Sequence, residues 1–194
     1  MVSIVTAVCL GVCLSAACGL RVFLPVLVVS VATKCGLVEL RESWQWIGSW
    51  PALLAFSTAT AIEITAYYIP WLDNALDSIA TPAAGIAGML MTVAVMPSDM
   101  SPLYSWCIGI IGGGGVATAV QLTTVGTRAF STSSTGGLTN HIVSTGEAVG
   151  ALGISISALF VPIVIAVIVM MAFCVMGYLV ISKGGKLFFR RKTA

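Results

Sequence analysis

Residues 146–181 read GEAVGALGISISALFVPIVIAVIVMMAFCVMGYLVI, and this stretch decides the fold class of the chain. Its 36 positions carry one charged side chain, that of Glu147. A single straight helix of that length would be about 54 Å long, whereas the hydrocarbon core of a bilayer is about 30 Å thick. We therefore expect the stretch to lie in a membrane and to be kinked or divided at Pro162.

The composition of the whole chain points to the same class. Of its 194 residues, 58% are hydrophobic and only 8% are charged, whereas a soluble domain has roughly 25% charged residues. A chain of this length has too little interior to hide so much apolar material in one water-soluble core. The composition therefore predicts an all-α protein, a polytopic transmembrane helical bundle.

Other apolar runs precede the deciding stretch, at residues 2–18, 22–33, 51–69, 79–96 and 103–127. The run at 22–33 would form a helix only about 18 Å long, which is too short to cross a bilayer. Taken together, the runs predict about six membrane segments, at least one of them short, broken or re-entrant. They make up a single integral membrane domain that covers residues 1–194.

Two polar stretches and a basic end separate or follow the apolar runs. Residues 34–49 carry charges beside Trp44 and Trp46, which is typical of an element at the membrane interface. Residues 131–145, STSSTGGLTNHIVST, are expected to be an external loop or irregular backbone lining a cavity. Five basic residues crowd into 183–194, so the positive-inside rule predicts a basic cytoplasmic tail. The sequence does not predict a basic face on a folded domain, so we do not expect the protein to bind nucleic acid.

A short sequence similarity between two parts of the chain is consistent with an internal duplication. Residues 19–23, GLRVF, match residues 126–130, GTRAF, at three of five positions. Each copy follows a long helix rich in small residues, and each precedes a helix that bears one glutamate, Glu63 or Glu147. Two halves at 1–97 and 102–182 with opposite orientations would form an inverted repeat, a plan that many transporters share.

Four motifs in order carry a resemblance to a known family. They are GLRVFLP at 19–25, GSWPA at 48–52, DNALD at 73–77 followed by Thr81-Pro82, and GTR at 126–128. With them the chain resembles an uncharacterised family of bacterial polytopic membrane proteins, filed as a domain of unknown function. The resemblance implies a small multi-pass protein of the bacterial inner membrane, and it implies no activity or substrate.

Charged residues inside apolar runs are the candidates for function. A charge near the middle of a membrane helix costs at least about 2.5–3.5 kcal/mol, so such residues are usually paired or functional. The predicted substrate- or ion-binding residues are Arg21, Glu63, Asp73, Asn74, Asp77, Arg128, His141 and Glu147.

Each acidic candidate has a structural alternative. Glu63 could carry a proton, bind a cation or pair with an arginine, and it could equally hold two helices together. Asp73 and Asp77 are four residues apart, so one helix face would present both carboxylates beside Asn74 to a hard cation. Alternatively, Asp73 caps a helix that begins near Asn74. Glu147 is expected in the first turn of its helix, where a carboxylate is favoured by the dipole alone.

The basic candidates are similarly open. Arg128 begins a stretch rich in Ser, Thr and Gly, which could hold an anion or a lipid phosphate, or could be an ordinary loop. His141 could relay protons to Glu147 or simply be solvated. The six cysteines show no Cys-x-x-Cys spacing, and they are expected to act as small apolar side chains. The sequence therefore does not identify a metal that the protein would bind.

The most favoured function is a small transporter or channel for a cation or a proton-coupled solute, with the charged residues converging on a central site. A lipid-phosphate-handling protein and a structural or assembly subunit are the alternatives. We expect no enzyme activity, because intramembrane diphosphate chemistry uses two acidic motifs and the chain has one, and we expect no cofactor. The expected partners are membrane lipids, an ion or small solute, and a second copy of the chain, for which the small-residue face Gly146-x-x-x-Gly150 would permit close packing.

Overall fold

The computed structural model describes residues 3–135 and 140–191. Every regular element in these two ranges is a helix, which confirms the all-helical prediction. The elements are α1 (Ile4–Leu20), α2 (Phe23–Lys34), a 3-10 helix (Glu42–Gly48), α3 (Trp50–Ala66), α4 (Pro70–Val95), α5 (Pro102–Ile108), a π-helical segment (Gly109–Gly114), α6 (Gly115–Thr135), α7 (Asn140–Phe160) and α8 (Pro162–Arg191).

Several of these helices are long and apolar enough to cross a membrane. By length and composition, three pass this test: Leu76–Val95, Pro102–Ser133 and Asn140–Phe160. A fourth candidate arises if the 3-10 helix and α3, bent by 63° at their junction, count as one span. Three shorter apolar helices accompany them, at Ile4–Leu20, Phe23–Lys34 and Pro162–Val175. The fold thus has three to four candidate membrane spans, which is consistent with a membrane protein.

Helix α1 lies at the centre of the bundle, in contact with α4, α6, α7 and α8. Its sequence has no polar face, and a helix that is apolar all round is a buried one. Its side chains include Cys13, Leu14, Ala17 and Cys18, which are all fully buried. The other helices therefore arrange themselves around the first one in the chain.

Small residues set the spacing between α1, α4 and the π-helical segment. The Ser15 hydroxyl lies 2.8 Å from the Gly88 carbonyl oxygen and 2.8 Å from the Thr92 hydroxyl. A Cβ atom added at Gly88 would lie 2.8 Å from the carbonyl oxygen of Gly113. The three backbones can approach this closely only because these positions carry little or no side chain.

The structure corrects two predicted boundaries. Helix α4 begins at Pro70 with Ile69 at its N-cap, so Asp73 lies inside the helix and does not cap it. The loop predicted at 131–145 is wrong, because 131–135 belong to α6 and 140–145 to α7; residues 136–139 lie outside the described residues. Helix tolerates this polar composition because hydroxyls bond back to their own helix, as Thr145 Oγ1 does to the His141 carbonyl at 2.8 Å.

Two predictions about helix breaks are confirmed. Helix α7 ends at Phe160 and α8 begins at Pro162, so the long apolar stretch is divided at the proline, whose ring cannot continue a helix from the preceding turn. The short apolar run at 22–33 forms the separate helix α2, which has 12 residues. The predicted basic tail at 183–194 begins within α8, which extends to Arg191.

Candidate functional site

The break between α1 and α2 is held by the carboxylate of Glu63. Arg21 has extended backbone angles, with φ −147° and ψ 125°, so α1 ends and α2 restarts two residues later. The first N–H groups of a helix have no partner within it. Here the N–H of Val22 donates to Glu63 Oε1 at 2.7 Å and that of Phe23 donates to Oε2 at 3.0 Å. Glu63 therefore caps α2, and it makes no ion pair within the described part of the chain.

The side chain of Arg21 turns into the bundle and is 1% exposed. Its Nη2 donates to the Ser144 carbonyl oxygen at 2.8 Å and to the Ser144 hydroxyl at 2.5 Å. The same nitrogen lies 3.3 Å from Glu147 Oε2. The guanidinium carbon is 3.9 Å from the centre of the Tyr67 ring, close enough for a cation–π contact. Arg21 thus joins α7 to the turn that follows α3.

Arg128 reaches the same carboxylate from α6. Its Nη1 forms an ion pair of 2.6 Å with Asp77 Oδ1, and its Nη2 pairs with Glu147 Oε2. Its guanidinium carbon lies 4.2 Å from the centre of the Tyr67 ring. An arginine at the break between α1 and α2 and an arginine in α6 therefore share one carboxylate oxygen and one aromatic ring. We call the set of Arg21, Tyr67, Asp77, Arg128 and Glu147 the charged cluster.

The charged cluster lies about two helical turns inside one end of the bundle. Asp77 is seven residues after the start of α4, Glu147 is seven after the start of α7, and Arg128 is seven before the end of α6. Seven residues of helix correspond to about 10 Å. Glu147 is therefore not in the first turn of its helix, as the sequence had suggested, because α7 begins at Asn140 instead of near Gly146.

Three buried polar atoms of the cluster have no hydrogen-bond partner among the described residues. They are Nε and Nη1 of Arg21 and Oε1 of Glu147. Buried polar atoms are nearly always hydrogen-bonded, so each exception needs an explanation. Glu147 is unusual because its Oε2 receives both arginines while its Oε1 receives nothing from that part of the chain.

A cleft reaches Glu147 from the side of the bundle. It has a volume of about 410 Å³ and is lined by residues of α1, α6, α7 and α8, among them Leu20, Val120, Thr123, Glu147 and Phe173. Most of the lining is apolar, which is typical of pockets for organic molecules.

The residues 8–182 match the profile of one protein family, described as Domain of unknown function (DUF4126). The chain belongs to the DUF4126 family. This confirms the expected membership in an uncharacterised family. No curated protein and no solved structure matches the chain, so the function must be argued from the site itself.

The structure of this DUF4126 protein does not place all the predicted site residues in the cluster. His141 stacks on the ring of Tyr68, with ring centres 5.6 Å apart, and no described contact joins it to a charged side chain. Asp73 and Asn74 belong to α4 by their backbone, and their side chains lie outside the described residues. Arg21, Asp77, Arg128 and Glu147 do converge, as predicted, and Glu63 lies beside them as a helix cap.

Two residues of the site escaped the sequence analysis. Tyr67 is not among the predicted site residues, because nothing in its sequence context indicates that two arginines stack on it. Ser144 was taken as part of a loop. Within the described residues, no three His, Cys, Asp or Glu side chains are close enough together to hold a metal ion. The side chains of Arg21, Asp77, Arg128 and Glu147 are instead joined by ion pairs.

Proposed function

We propose that this DUF4126 protein is a small multi-pass membrane transporter that binds a cation or a proton-coupled solute at the charged cluster. The single observation that carries the proposal is the state of Glu147. Its carboxylate is buried, it holds two arginines through one oxygen, its other oxygen has no hydrogen-bond partner among the described residues, and the residue lines a cleft.

A purely structural ion pair explains this arrangement poorly. Burying charges costs several kcal/mol for each ion, which is recovered only when the remaining lone pairs and protons are also satisfied. If the network served only to join helices, a hydrogen-bond donor to Glu147 Oε1 would make the protein more stable. A bound solute that donates to this oxygen would complete the network, and its departure would leave it incomplete, which is a physical basis for reversible binding.

The directions of the helices support a specific membrane arrangement. Helices α1 and α3 end at the cluster, α4 and α7 begin there, and the helix that runs from α5 to α6 rises toward it. Pro162 lies near Cys13, and Phe173 lines the cleft with Leu20, so α8 also runs toward the cluster. We take α1, α3, α4, α5–α6, α7 and α8 as six membrane segments, and α2 as an additional short segment between α1 and α3.

The same directions bear on the proposed duplication. Arg21 follows the end of α1 and Arg128 lies near the end of α6, and both meet at Glu147. Halves at 1–97 and 102–182 would thus present equivalent arginines on helices that run the same way. This favours a parallel repeat over the predicted inverted one. Transporters of either kind can alternate two halves around a fixed site.

A cytoplasmic C-terminus would place the cluster in the cytoplasmic half of the membrane. The basis is the excess of basic residues after position 182 together with the direction of α8. The proposed location is the bacterial inner membrane, with lipids, the solute and a second copy of the chain as partners. No catalytic role is proposed for any residue.

Ligand-dependent stability of the purified protein tests the proposal. A ligand at about a hundred times its dissociation constant should stabilise the fold by about 2.7 kcal/mol. The thermal midpoint is measured with inorganic and organic cations at several pH values, for the unaltered protein, for Glu147→Gln and for Glu39→Gln, whose side chain is exposed. Stabilisation that disappears only in Glu147→Gln supports transport. If no cation and no change of pH has an effect, the cluster is structural.

A lipid-phosphate-handling protein is the second candidate, because of Arg21. Its Nε and Nη1 are buried donors without a described partner, and arginine donors suit phosphate oxygens. This reading expects an anionic lipid to stabilise the protein and Arg21→Gln to abolish the effect while Glu147→Gln leaves it.

A further inference from the structure

The walls of the cleft are apolar, and its mouth opens on an apolar surface. Ala16, Leu20, Ile154 and Phe173 are among the lining residues, and Thr127, Gly146 and Ala172 at the rim are exposed. The neighbouring outer positions of α6 and α7 carry the exposed side chains of Leu122, Ile142 and Val149. In a membrane such a surface faces acyl chains, so a solute would reach the cleft sideways from the lipid.

The polar atoms that face the cleft can only accept hydrogen bonds. The three threonine hydroxyls use their protons on backbone carbonyls: Thr123 on Ala119 at 2.9 Å, Thr124 on Gln121 at 2.9 Å and Thr127 on Thr123 at 2.9 Å. What they offer the cleft is lone pairs. Glu147 also lines the cleft, and it is the one charged residue among the described residues of the lining. Its Oε1 is a buried acceptor without a hydrogen-bond partner among those residues.

The charges of the site agree with this set of acceptors. Two guanidinium groups, of Arg21 and Arg128, face the carboxylates of Glu63, Asp77 and Glu147, which leaves one formal negative charge among these five side chains. A phosphate head group consists of acceptors and negative charge, so it would meet acceptors in the cleft. An ammonium group has three donors and no acceptor, and it complements both the lone pairs and the charge.

We infer that the cleft between α6, α7 and α8 admits an amphiphilic primary ammonium compound from the lipid, with its ammonium group at the carboxylate of Glu147 and its apolar chain along the walls. This inference rests on the proposed function and names its solute: a lipophilic organic cation. The apolar walls of the cleft favour such a solute over a small inorganic cation, because an inorganic cation has no apolar chain to pack against them.

Two glycines of α7 provide a matched pair of variants. A Cβ atom added at Gly146 or at Gly153 would meet no heavy atom within 4 Å. Gly146 lines the cleft, whereas Gly153 does not. Gly146→Leu therefore adds a side chain to the lining of the cleft and leaves the residues of the charged cluster unchanged, and Gly153→Leu makes the same change away from the cleft on the same helix. Both variants should keep most of the stability of the unaltered protein, whereas Glu147→Gln removes the charge that two arginines share and should lower the stability.

The probes are decylammonium, methylammonium and decyl phosphate, titrated calorimetrically into protein in lipid nanodiscs, with empty nanodiscs subtracted. We expect decylammonium to bind the unaltered protein and Gly153→Leu equally. In Gly146→Leu its Kd should rise by about tenfold or more, because side-chain atoms would overlap with the ligand. Glu147→Gln should lose binding as well, and methylammonium and decyl phosphate should bind neither the cleft variants nor the unaltered protein.

The outcomes separate this inference from the proposed function. If methylammonium binds as tightly as decylammonium and Gly146→Leu changes nothing, the site takes cations but the lipophilic class and the lateral cleft are overturned. If decyl phosphate binds and both ammonium compounds do not, the inference and the proposed cation transport fail together. If decylammonium binds equally to Gly146→Leu and Gly153→Leu, its contact is with the surface and the inference is overturned.

Discussion

Replacing Glu63 by alanine should destabilise the protein through the N-terminus of α2. The carboxylate accepts the N–H groups of Val22 at 2.7 Å and Phe23 at 3.0 Å, and alanine would leave both donors without an acceptor. An unsatisfied buried donor costs about 1–3 kcal/mol. Val22 is 7% exposed, so its N–H group would bear the full cost, while Phe23 is 39% exposed and its N–H group can gain some water. We expect a total loss of about 2–4 kcal/mol.

Glutamine at the same position should lie between the two. Its one carbonyl oxygen can accept one of the two N–H groups, whereas its amide nitrogen cannot accept the other. It also lacks the negative charge that a helix N-terminus favours by about 0.3–1 kcal/mol. The order of stability should therefore be glutamate, glutamine, alanine. Glu39 is exposed, and Glu39→Ala serves as the matched control, with an expected change within about 0.5 kcal/mol.

Unfolding of the purified protein by a denaturing detergent in mixed micelles measures these differences. Reversibility is established first, and the free energy of unfolding is then compared among the four proteins. The capping role is refuted if Glu63→Ala and Glu39→Ala unfold at the same detergent fraction. If Glu63→Gln is as stable as the unaltered protein yet loses solute binding, Glu63 belongs to the binding site. That result would favour the functional role that the sequence analysis offered for Glu63 over the structural one.

Three further predictions concern the ion network, the packing of α4 and the topology. Glu147→Gln should cost about 3–5 kcal/mol, because the buried Arg21 loses its ion pair and the buried Arg128 keeps only its pair with Asp77. The double variant with Arg128→Gln should recover part of that loss in a double-mutant cycle, and purely additive losses would contradict a direct pair. Gly88→Ala should lower the free energy of unfolding by about 1–3 kcal/mol, since its Cβ atom would lie 2.8 Å from the Gly113 carbonyl oxygen. Gly115→Ala, with open space around it, should be neutral or stabilising, and equal effects would disprove the close approach. A fluorescent protein fused to the C-terminus should fluoresce and resist external protease in intact cells, and the reverse labelling would place the cluster on the outer side.

The sequence by itself predicted the class of this protein and singled out most residues of the charged cluster. An apolar stretch of 36 positions and 8% charged residues predict a lipid environment, since a chain of this length has too little interior to remove so much apolar surface from water. Charge inside such a chain is costly wherever it lies. Arg21, Asp77, Arg128 and Glu147 could therefore be singled out without knowing any contact, and the division at Pro162 followed from the missing N–H and the ring of proline.

Only the tertiary structure decided which role each residue takes. Glu63 accepts hydrogen bonds from backbone N–H groups because α1 ends at Leu20 and α2 begins next to the Glu63 carboxylate. No local sequence pattern predicts this contact. The polar stretch at 131–145 was misread because helices α6 and α7 satisfy its side chains through their own carbonyls and through bonds such as Asn140 to Thr132 at 3.1 Å. Arg21 and Arg128 both contact Glu147 and Tyr67, although along the sequence they are 126 and 19 residues away from Glu147. Hydropathy is a local property and reports which residues avoid water, whereas partners are set by how helices pack, which depends on all of them at once.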